Sequence, residues 1–171
     1  MIFWTVQRKQ AWEQFQLNGT MSGNRSFMDD WWATKYQWMM EQMRKRIKGY
    51  GGKYPVWVWT ERPDLRQSAL LSRGTEGVLL KLELPPEKVL LSDFDAWHIV
   101  LNEGYVGLSE QELDLYYNDK ETPITAQESW ERIFDLQAVR WDSECGEYQT
   151  QGVVEEIKLS QVLHVKPFIA R

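Results

Sequence analysis

Three polar side chains that lie close together in the sequence could bind a metal ion or transfer a proton. Asp93, Asp95 and His98 fall within two turns of a predicted helix, and His98 is one of two histidines in the chain. Hard divalent cations need several oxygen ligands that converge. On a helix, however, the side chains of Asp93 and Asp95 point about 200° apart. We therefore expect no metal site here, with Asp95 capping the helix and Asp93 stabilised by the helix dipole.

The histidine of this segment has two interpretations. His98 shares a helix face with Phe94, Trp97 and Leu101, which favours a hydrogen-bonded core residue over a general base. It stays among the candidate catalytic residues, because imidazole is the side chain best suited to proton transfer at neutral pH.

A second group of residues could bind an anion. Arg62 and Arg66 flank Asp64 in a polar loop, and the planar guanidinium fork suits phosphate or carboxylate. The preceding predicted strand carries Trp57 and Trp59, on which a base or a nicotinamide ring could stack. The alternative is a surface ion pair between Asp64 and Arg66, with both indoles filling the core.

A basic cluster marks the end of a long predicted helix over residues 26–47. Its members are Arg44, Lys45, Arg46 and Lys48, and glycines follow at 49, 51 and 52. The cluster could bind nucleic acid. Because the chain as a whole is acidic, we favour a solvated helix end that the helix dipole stabilises.

Cys145 is the only cysteine, so the sequence can form neither an internal disulfide nor a zinc site of several thiolates. Acidic residues on both sides of Cys145 disfavour a reactive thiolate, and we expect no thiol protease. The sequence shows no secretion signal and no apolar stretch long enough to cross a bilayer, so a cytoplasmic protein is expected.

Composition limits the class of protein. The length of 171 residues predicts one folded domain over residues 1–171. A composition of 43% hydrophobic and 26% charged residues excludes a disordered, collagenous or membrane-spanning protein. The net charge of −5 disfavours a protein that coats nucleic acid by overall basicity. Ten tryptophans predict either a core of large rings or an aromatic slot for a planar ligand.

Periodicity predicts strands and helices without a regular βαβ rhythm. Strands are predicted over 2–7, 54–60, 78–84, 88–91, 148–157 and 162–168. Helices are predicted from residue 11 to an end at Asn18-Gly19, and over 26–47, 93–102, 110–117 and 126–134. This order favours an α+β fold with a mainly antiparallel sheet, a long amphipathic helix and a buried central helix.

Three of the helices begin with a capping-box pattern. The pairs are Ser92 with Asp95, Ser109 with Glu112, and Thr125 with Glu128. The helix over 93–102 is apolar nearly all round, so it is expected to be buried on more than one side.

Several segments resemble a small bacterial family catalogued as a domain of unknown function, number 3841. They are FWTVQ at 3–7, the stretch 38–43, YPVWVW at 54–59, PDLR at 63–66 and LLSDFDAWHIVLN at 90–102. The resemblance covers most of the chain and implies a cytoplasmic, bacterial or phage-associated protein, without implying an activity.

The order of predicted elements is also similar to the opening half of ADP-ribosyltransferase-like domains, which bind NAD in a cleft between two small sheets. By position, this resemblance implies that Thr5 and Gln7 line a nicotinamide pocket, that Trp59 stacks on a ring and that Glu103 is the catalytic acid. The first strand has neither the His nor the Arg expected there, Arg8 being only adjacent.

These observations favour an NAD- or nucleotide-binding domain in which Arg62 and Arg66 meet phosphates, with transfer to a macromolecule as its reaction if it is an enzyme. A non-enzymatic phage or mobile-element inhibitor that binds a host protein is the first alternative, because residues 101–171 hold 6 basic and 14 acidic side chains. The second is a nucleic-acid-binding protein that uses residues 44–53 with Tyr50 and Tyr54. No membrane partner is expected.

Overall fold

A computed structural model describes residues 1–27, 30–66, 70–142 and 148–171. Cys145 and the prediction attached to it lie outside these ranges. The chain divides into two compact units, which we call unit 1 (Met1–Leu90 and Gly152–Arg171) and unit 2 (Leu91–Gln151). The prediction of a single domain over 1–171 stays a prediction.

The structure is an α+β fold built on an antiparallel sheet, as predicted. Six strands form this sheet in the order β5-β6-β3-β1-β4-β8, and β2 pairs with β7 separately. The strands are β1 Ile2–Arg8, β2 Thr20–Met21, β3 Val56–Trp59, β4 Glu76–Glu83, β5 Val89–Asp93, β6 Thr150–Val154, β7 Ile157–Lys158 and β8 Val162–Ile169. Strand β1 lies antiparallel to both β3 and β4, and β4 lies antiparallel to β8.

The helices largely follow the predicted positions. They are α1 Lys9–Asn18, α2 Asp30–Arg46, α3 Phe94–Leu101, α4 Glu110–Tyr117, α5 Ala126–Ser129 and α6 Leu136–Val139. Helix α1 ends at Gly19, whose φ of 72° is left-handed, as the Asn18-Gly19 pair predicts. The predicted helix over 26–47 is shorter, because residues 25–27 form a separate 3₁₀ turn before α2. In the described ranges no helix combines the length and apolarity of a membrane span.

The two faces of the sheet in unit 1 differ in character. Phe3 and Thr5 on β1 are fully buried, and the register places Thr5 opposite Leu80 of β4, which is also buried. Because side chains alternate along a strand, Trp4 points to the other face, where it is only half-buried. The first face forms the core of unit 1, and the second keeps part of its aromatic surface accessible.

Caps and ion pairs hold the helices of unit 2. Thr125 and Glu128 form the predicted capping box. Ser109 accepts a hydrogen bond from the Glu112 amide, but the Glu112 carboxylate binds Arg132 instead of completing the box. Tyr105 also donates to this carboxylate.

The predicted cap at Ser92 is wrong. Strand β5 continues to Asp93, so Asp93 is the residue before the first turn of α3 and accepts from the Ala96 amide at 3.0 Å. Asp95 is exposed in that turn. Helix α3 buries Ala96, Trp97 and Val100, whereas Ile99 and His98 are exposed, so the helix is buried along one face only.

Candidate functional site

One row of side chains crosses four strands of the sheet in unit 1. Trp59 on β3 lies opposite Trp4 on β1, Trp4 lies opposite Lys81 on β4, and Lys81 lies opposite His164 on β8. Directly opposite residues of antiparallel strands point to the same face. Two indoles, an ammonium group and an imidazole are therefore aligned on one face.

Trp4 is the centre of this row. The Arg62 guanidinium lies 5.8 Å from the centroid of the Trp4 ring, and the Lys81 ammonium lies 5.7 Å from it. Both distances are within the range of a cation–π contact. Sequence reasoning selected Arg62 but paired it with Trp59. It missed Trp4 as the ring under this guanidinium, because the contact depends on the register between β1 and β3.

The same face carries Lys166, which lies opposite Leu79 and two residues along β8 from His164. We call this surface of unit 1 the basic face, and its members are Trp4, Trp59, Arg62, Lys81, His164 and Lys166.

A groove of ≈ 610 Å³ adjoins the basic face at Lys166. Its lining combines three cations with three apolar side chains, namely Arg66, Lys166, Arg171, Leu65, Phe168 and Ile169. This combination suits an anion that also carries apolar surface.

Arg66 is already paired within its own loop, as one interpretation of the sequence predicts. Its Nε atom donates to Asp64 at 2.9 Å, and its terminal nitrogen donates to the same carboxylate at 2.7 Å. The Arg66 side chain and backbone hydrogen bonds lower the pKa of Asp64 from 3.8 to about 2. The guanidinium is exposed, so a phosphate would compete with Asp64 for it.

Thr5 and Gln7, predicted to line a nicotinamide pocket, lie on the face opposite Trp4. The Thr5 hydroxyl donates to the Trp57 carbonyl at 2.8 Å, and the Gln7 amide donates to the Thr5 hydroxyl at 2.9 Å. The first bond connects β1 to β3 inside unit 1, and the second lies within β1. The structure does not bring either side chain to the basic face.

The other two predicted catalytic residues belong to unit 2. Glu103 lies in the turn after α3 with a positive φ of 59°, and its side chain is exposed. The ring of His98 is 4.4 Å from that of Phe94, and its Nδ1 atom lies 2.9 Å from the Phe94 carbonyl oxygen. The expectation of a core histidine is wrong, because α3 turns His98 toward solvent.

Asp93 has a structural role in unit 2. Its carboxylate accepts from Arg140 Nε at 2.9 Å, while Arg140 also donates to Thr150 at 2.8 Å. Asp93 is buried and has a bond to each carboxylate oxygen, since Ala96 donates to the other one. Within the described ranges, no three His, Cys, Asp or Glu residues are grouped so that they could hold a metal ion.

The turn that follows the basic cluster at the end of α2 is bound by two acidic residues. The Glu155 carboxylate accepts from the backbone of Gly51 and Lys53, and Glu156 pairs with the Lys53 ammonium. Arg44 lies over the ring of Tyr50. These contacts support the interpretation of this cluster as a helix end and its turn.

The two units carry opposite charge. Unit 1 contains 17 Lys and Arg and 11 Asp and Glu, a net charge of +6. Unit 2 contains 3 and 14, a net charge of −11. The overall charge of −5 therefore conceals a basic unit, and this removes the main argument against an anionic ligand.

A family described as "Domain of unknown function (DUF3841)" matches residues 2–163. No curated protein and no solved structure matches the chain.

Proposed function

The chain belongs to the DUF3841 family, and we propose that it binds a nucleotide, with NAD as the type compound, on the basic face of unit 1. The observation that carries this proposal is the half-buried Trp4 ring with Arg62 and Lys81 at 5.8 and 5.7 Å from its centroid. A nucleotide combines a planar ring with negative phosphates, and this surface combines a planar ring with cations.

The two parts of a nucleotide would make different contacts. A base that stacks on an aromatic side chain contributes about 1–3 kcal/mol to binding. Arg62 and Lys81 are within reach of the phosphates that follow such a base, and Arg66, Lys166 and Arg171 extend the positive charge into the groove. Neighbouring strands are about 4.8 Å apart, so β8 is roughly 10 Å from β1. A ring on Trp4 and a phosphate near Lys166 can therefore belong to one ligand.

Calorimetric titration with NAD and with ADP-ribose tests the proposal. Trp4→Leu removes the stacking surface, so it should weaken binding about 5- to 150-fold, equivalent to about 1–3 kcal/mol. Arg62→Gln should weaken binding and reduce its salt dependence.

The chain supplies a matched control for each variant. Trp31 is 68% exposed and has the Lys35 ammonium 5.8 Å from its ring, so Trp31→Leu removes a similar pair from α2. Arg44 lies 5.9 Å from the Tyr50 ring, which makes Arg44→Gln the control for Arg62. Both controls should bind as the wild type does. Equal losses in controls and test variants, or no nucleotide binding at all, would refute the proposal.

If the protein is an enzyme, the proposed reaction is transfer of ADP-ribose from NAD. The similarity of its element order to that of ADP-ribosyltransferase-like domains supports this reaction. In that reaction the glycosidic C–N bond breaks, nicotinamide leaves with the electron pair, and an acidic side chain stabilises the positive charge on the ribose. The acid implied by the resemblance, Glu103, belongs to unit 2 and is not part of the basic face. Release of nicotinamide from NAD by the wild type would support transfer; binding without release would restrict the function to recognition.

The charge of unit 2 favours a second candidate function, the docking of a basic protein. Helix α4 has no buried residue, and it presents Glu110, Asp114 and the exposed Tyr117. Such a surface speeds association with a positively charged partner in a salt-dependent way. Recovery of one stoichiometric partner that is lost with Glu110→Lys and Asp114→Lys would support this candidate, and unchanged recovery would contradict it.

A further inference from the structure

Strand β8 forms one edge of the six-stranded sheet. It pairs with β4 on one side, and in the ranges that the structure describes no strand pairs with its other side. Leu163 and Ile169 on β8 are 52% and 63% exposed. An edge of this kind presents backbone N–H and C=O groups to which another extended chain can add.

The hydrogen bonds at the end of β8 show which backbone groups are free. The Ala170 amide donates to the Thr75 carbonyl at 2.9 Å, so the backbone groups of Ala170 point toward β4. Because these groups alternate in direction along a strand, the outward-pointing ones belong to Val165, Pro167 and Ile169. Proline has no N–H, and an outward-facing position on an edge strand is the usual place for it in a sheet. The free edge therefore offers the N–H groups of Val165 and Ile169 and the carbonyl oxygens of all three residues.

Two grooves flank the end of β8, one on each face of the sheet. The groove of ≈ 610 Å³ described above, which we call the basic groove, includes Lys166. A second groove of ≈ 520 Å³ lies between helix α1 and the sheet, and we call it the α1 groove; its lining includes Trp12, Val78 and Pro167. Val78 and Pro167 are an opposed pair on the face opposite the basic face. A strand added to β8 would therefore direct alternate side chains toward the two grooves.

The two grooves differ in charge. Arg66, Lys166 and Arg171 make the basic groove positive. In the α1 groove the Lys9 ammonium pairs with the Glu76 carboxylate at 3.0 Å, and Glu13, Trp12 and apolar sheet residues complete much of the lining. An acidic side chain is therefore favoured in the basic groove, and an apolar one is favoured in the α1 groove.

We propose that the free edge of β8 binds an extended segment of another protein in which apolar and acidic side chains alternate. The backbone of the segment bonds to the outward-pointing groups of β8, its apolar side chains face the α1 groove, and its acidic side chains face Lys166 and the basic groove. A second copy of this chain is a poorer occupant, because antiparallel pairing of two β8 strands would place two basic faces side by side. The inference goes beyond nucleotide binding, since Trp4 and Arg62 take no part in it and the two ligands would share only the basic groove.

Amide NMR of the full chain tests the proposal with capped peptides that alternate valine with glutamate. The glutamate peptide should slow hydrogen exchange at the amides of Val165 and Ile169, whereas the amides of Lys166 and Phe168, which already face β4, should change less. A peptide with lysine in place of glutamate should bind more weakly, and an N-methylated glutamate peptide should not bind. No response to the glutamate peptide at millimolar concentration, or an equal response to the lysine peptide, would overturn the proposal. A ligand-free dimer in which the amides of Val165 and Ile169 are already protected would also overturn it, because a second copy would then occupy the edge.

A charge reversal tests the contact with the acidic side chains. Lys166→Glu should weaken binding of the glutamate peptide about 2- to 30-fold and favour the lysine peptide. Lys48 is an exposed lysine at the end of α2, so Lys48→Glu is the matched control and should bind as the wild type does. Equal losses in the two variants would contradict the proposed contact. Trp4→Leu should weaken NAD binding without weakening peptide binding, which separates failure of this proposal from failure of the nucleotide proposal.

Two further substitutions test the backbone contact and the apolar contact. Pro167→Val supplies the missing N–H donor on the exposed edge, so it should tighten binding of the glutamate peptide about 2- to 12-fold. Ile169→Ser should weaken binding, whereas Leu17→Ser, which removes a 78% exposed side chain from α1, should leave it unchanged. An unchanged affinity in Pro167→Val would contradict addition of a strand to this edge.

Discussion

Removal of the Arg140 guanidinium should destabilise the protein strongly, because Asp93 would remain as a buried charge without a partner. The Asp93 side chain is 3% exposed, whereas that of Arg140 is 23% exposed. In Arg140→Leu the carboxylate keeps only the bond from the Ala96 amide, and Thr150 loses its bond from Arg140.

Breaking one partner of a buried ion pair costs about 3–5 kcal/mol. Because Arg140 retains contact with solvent, we take the lower end of this range and expect a loss of about 3 kcal/mol in the free energy of unfolding. Asp93→Asn should cost less, about 1–2 kcal/mol, since an asparagine oxygen can still cap α3 and the Arg140 side chain can reach water.

Urea unfolding of the two single variants and of the double variant measures the difference between removing Arg140 and removing the charge of Asp93. The double variant Asp93→Asn, Arg140→Leu contains no stranded charge, so it should be more stable than Arg140→Leu alone. A loss below about 1 kcal/mol in Arg140→Leu, or a double variant that is less stable than Arg140→Leu, would refute the assignment of Asp93 as a structural carboxylate.

Three further predictions concern local structure. The folded pKa of Asp64 is about 2, below its ordinary 3.8, so the contribution of its pair with Arg66 should be complete above about pH 4 and lost toward pH 2. The NMR titration of Asp64 should have a midpoint near 2, and Arg66→Gln should raise this midpoint toward 3.8, although the backbone hydrogen bond from residue 66 keeps part of the shift. A wild-type midpoint near 4 would contradict this. Thr125→Ala should cost about 1 kcal/mol in chemical unfolding by removing the capping box, while Thr125→Ser should retain most of it. Gly19→Ala should lower stability by about 1 kcal/mol because of its left-handed φ, and an unchanged Tm would contradict that reasoning.

Local patterns in the sequence predict much of the fold. The bounds of α4, the end of α1 at Gly19 and the capping box at Thr125 depend on residues near each other in the chain, and the structure confirms all three. Strands β1, β4 and β8 are also close to their predicted positions. The alternation of apolar residues along a strand is a local pattern, so it can predict these strands without knowledge of their partners.

The differences arise where distant segments meet. Ser92 has the sequence pattern of a cap, but β5 extends through it and makes Asp93 the cap. Arg140, the partner of Asp93, lies 47 residues further along the chain. No local pattern connects these two residues.

The candidate site shows the same limit. The loop sequence predicts Arg62 as an anion-binding residue, whereas its contact with Trp4 follows from the pairing of β1 with β3. Lys166 and His164 lie on the basic face because β8 pairs with β4. Residues 152–171 belong to unit 1 although they end the chain. A count of charged residues over consecutive halves of the sequence therefore does not give the net charge of either unit.

The most direct test of nucleotide binding is a titration with NAD followed by the indole N–H signals of the tryptophans. Binding on the basic face should move the Trp4 and Trp59 signals with a single saturable midpoint, while the signals of Trp31 and of the buried Trp130 in unit 2 keep their positions. Movement of the Trp31 or Trp130 signal with no change at Trp4 would contradict nucleotide binding on the basic face.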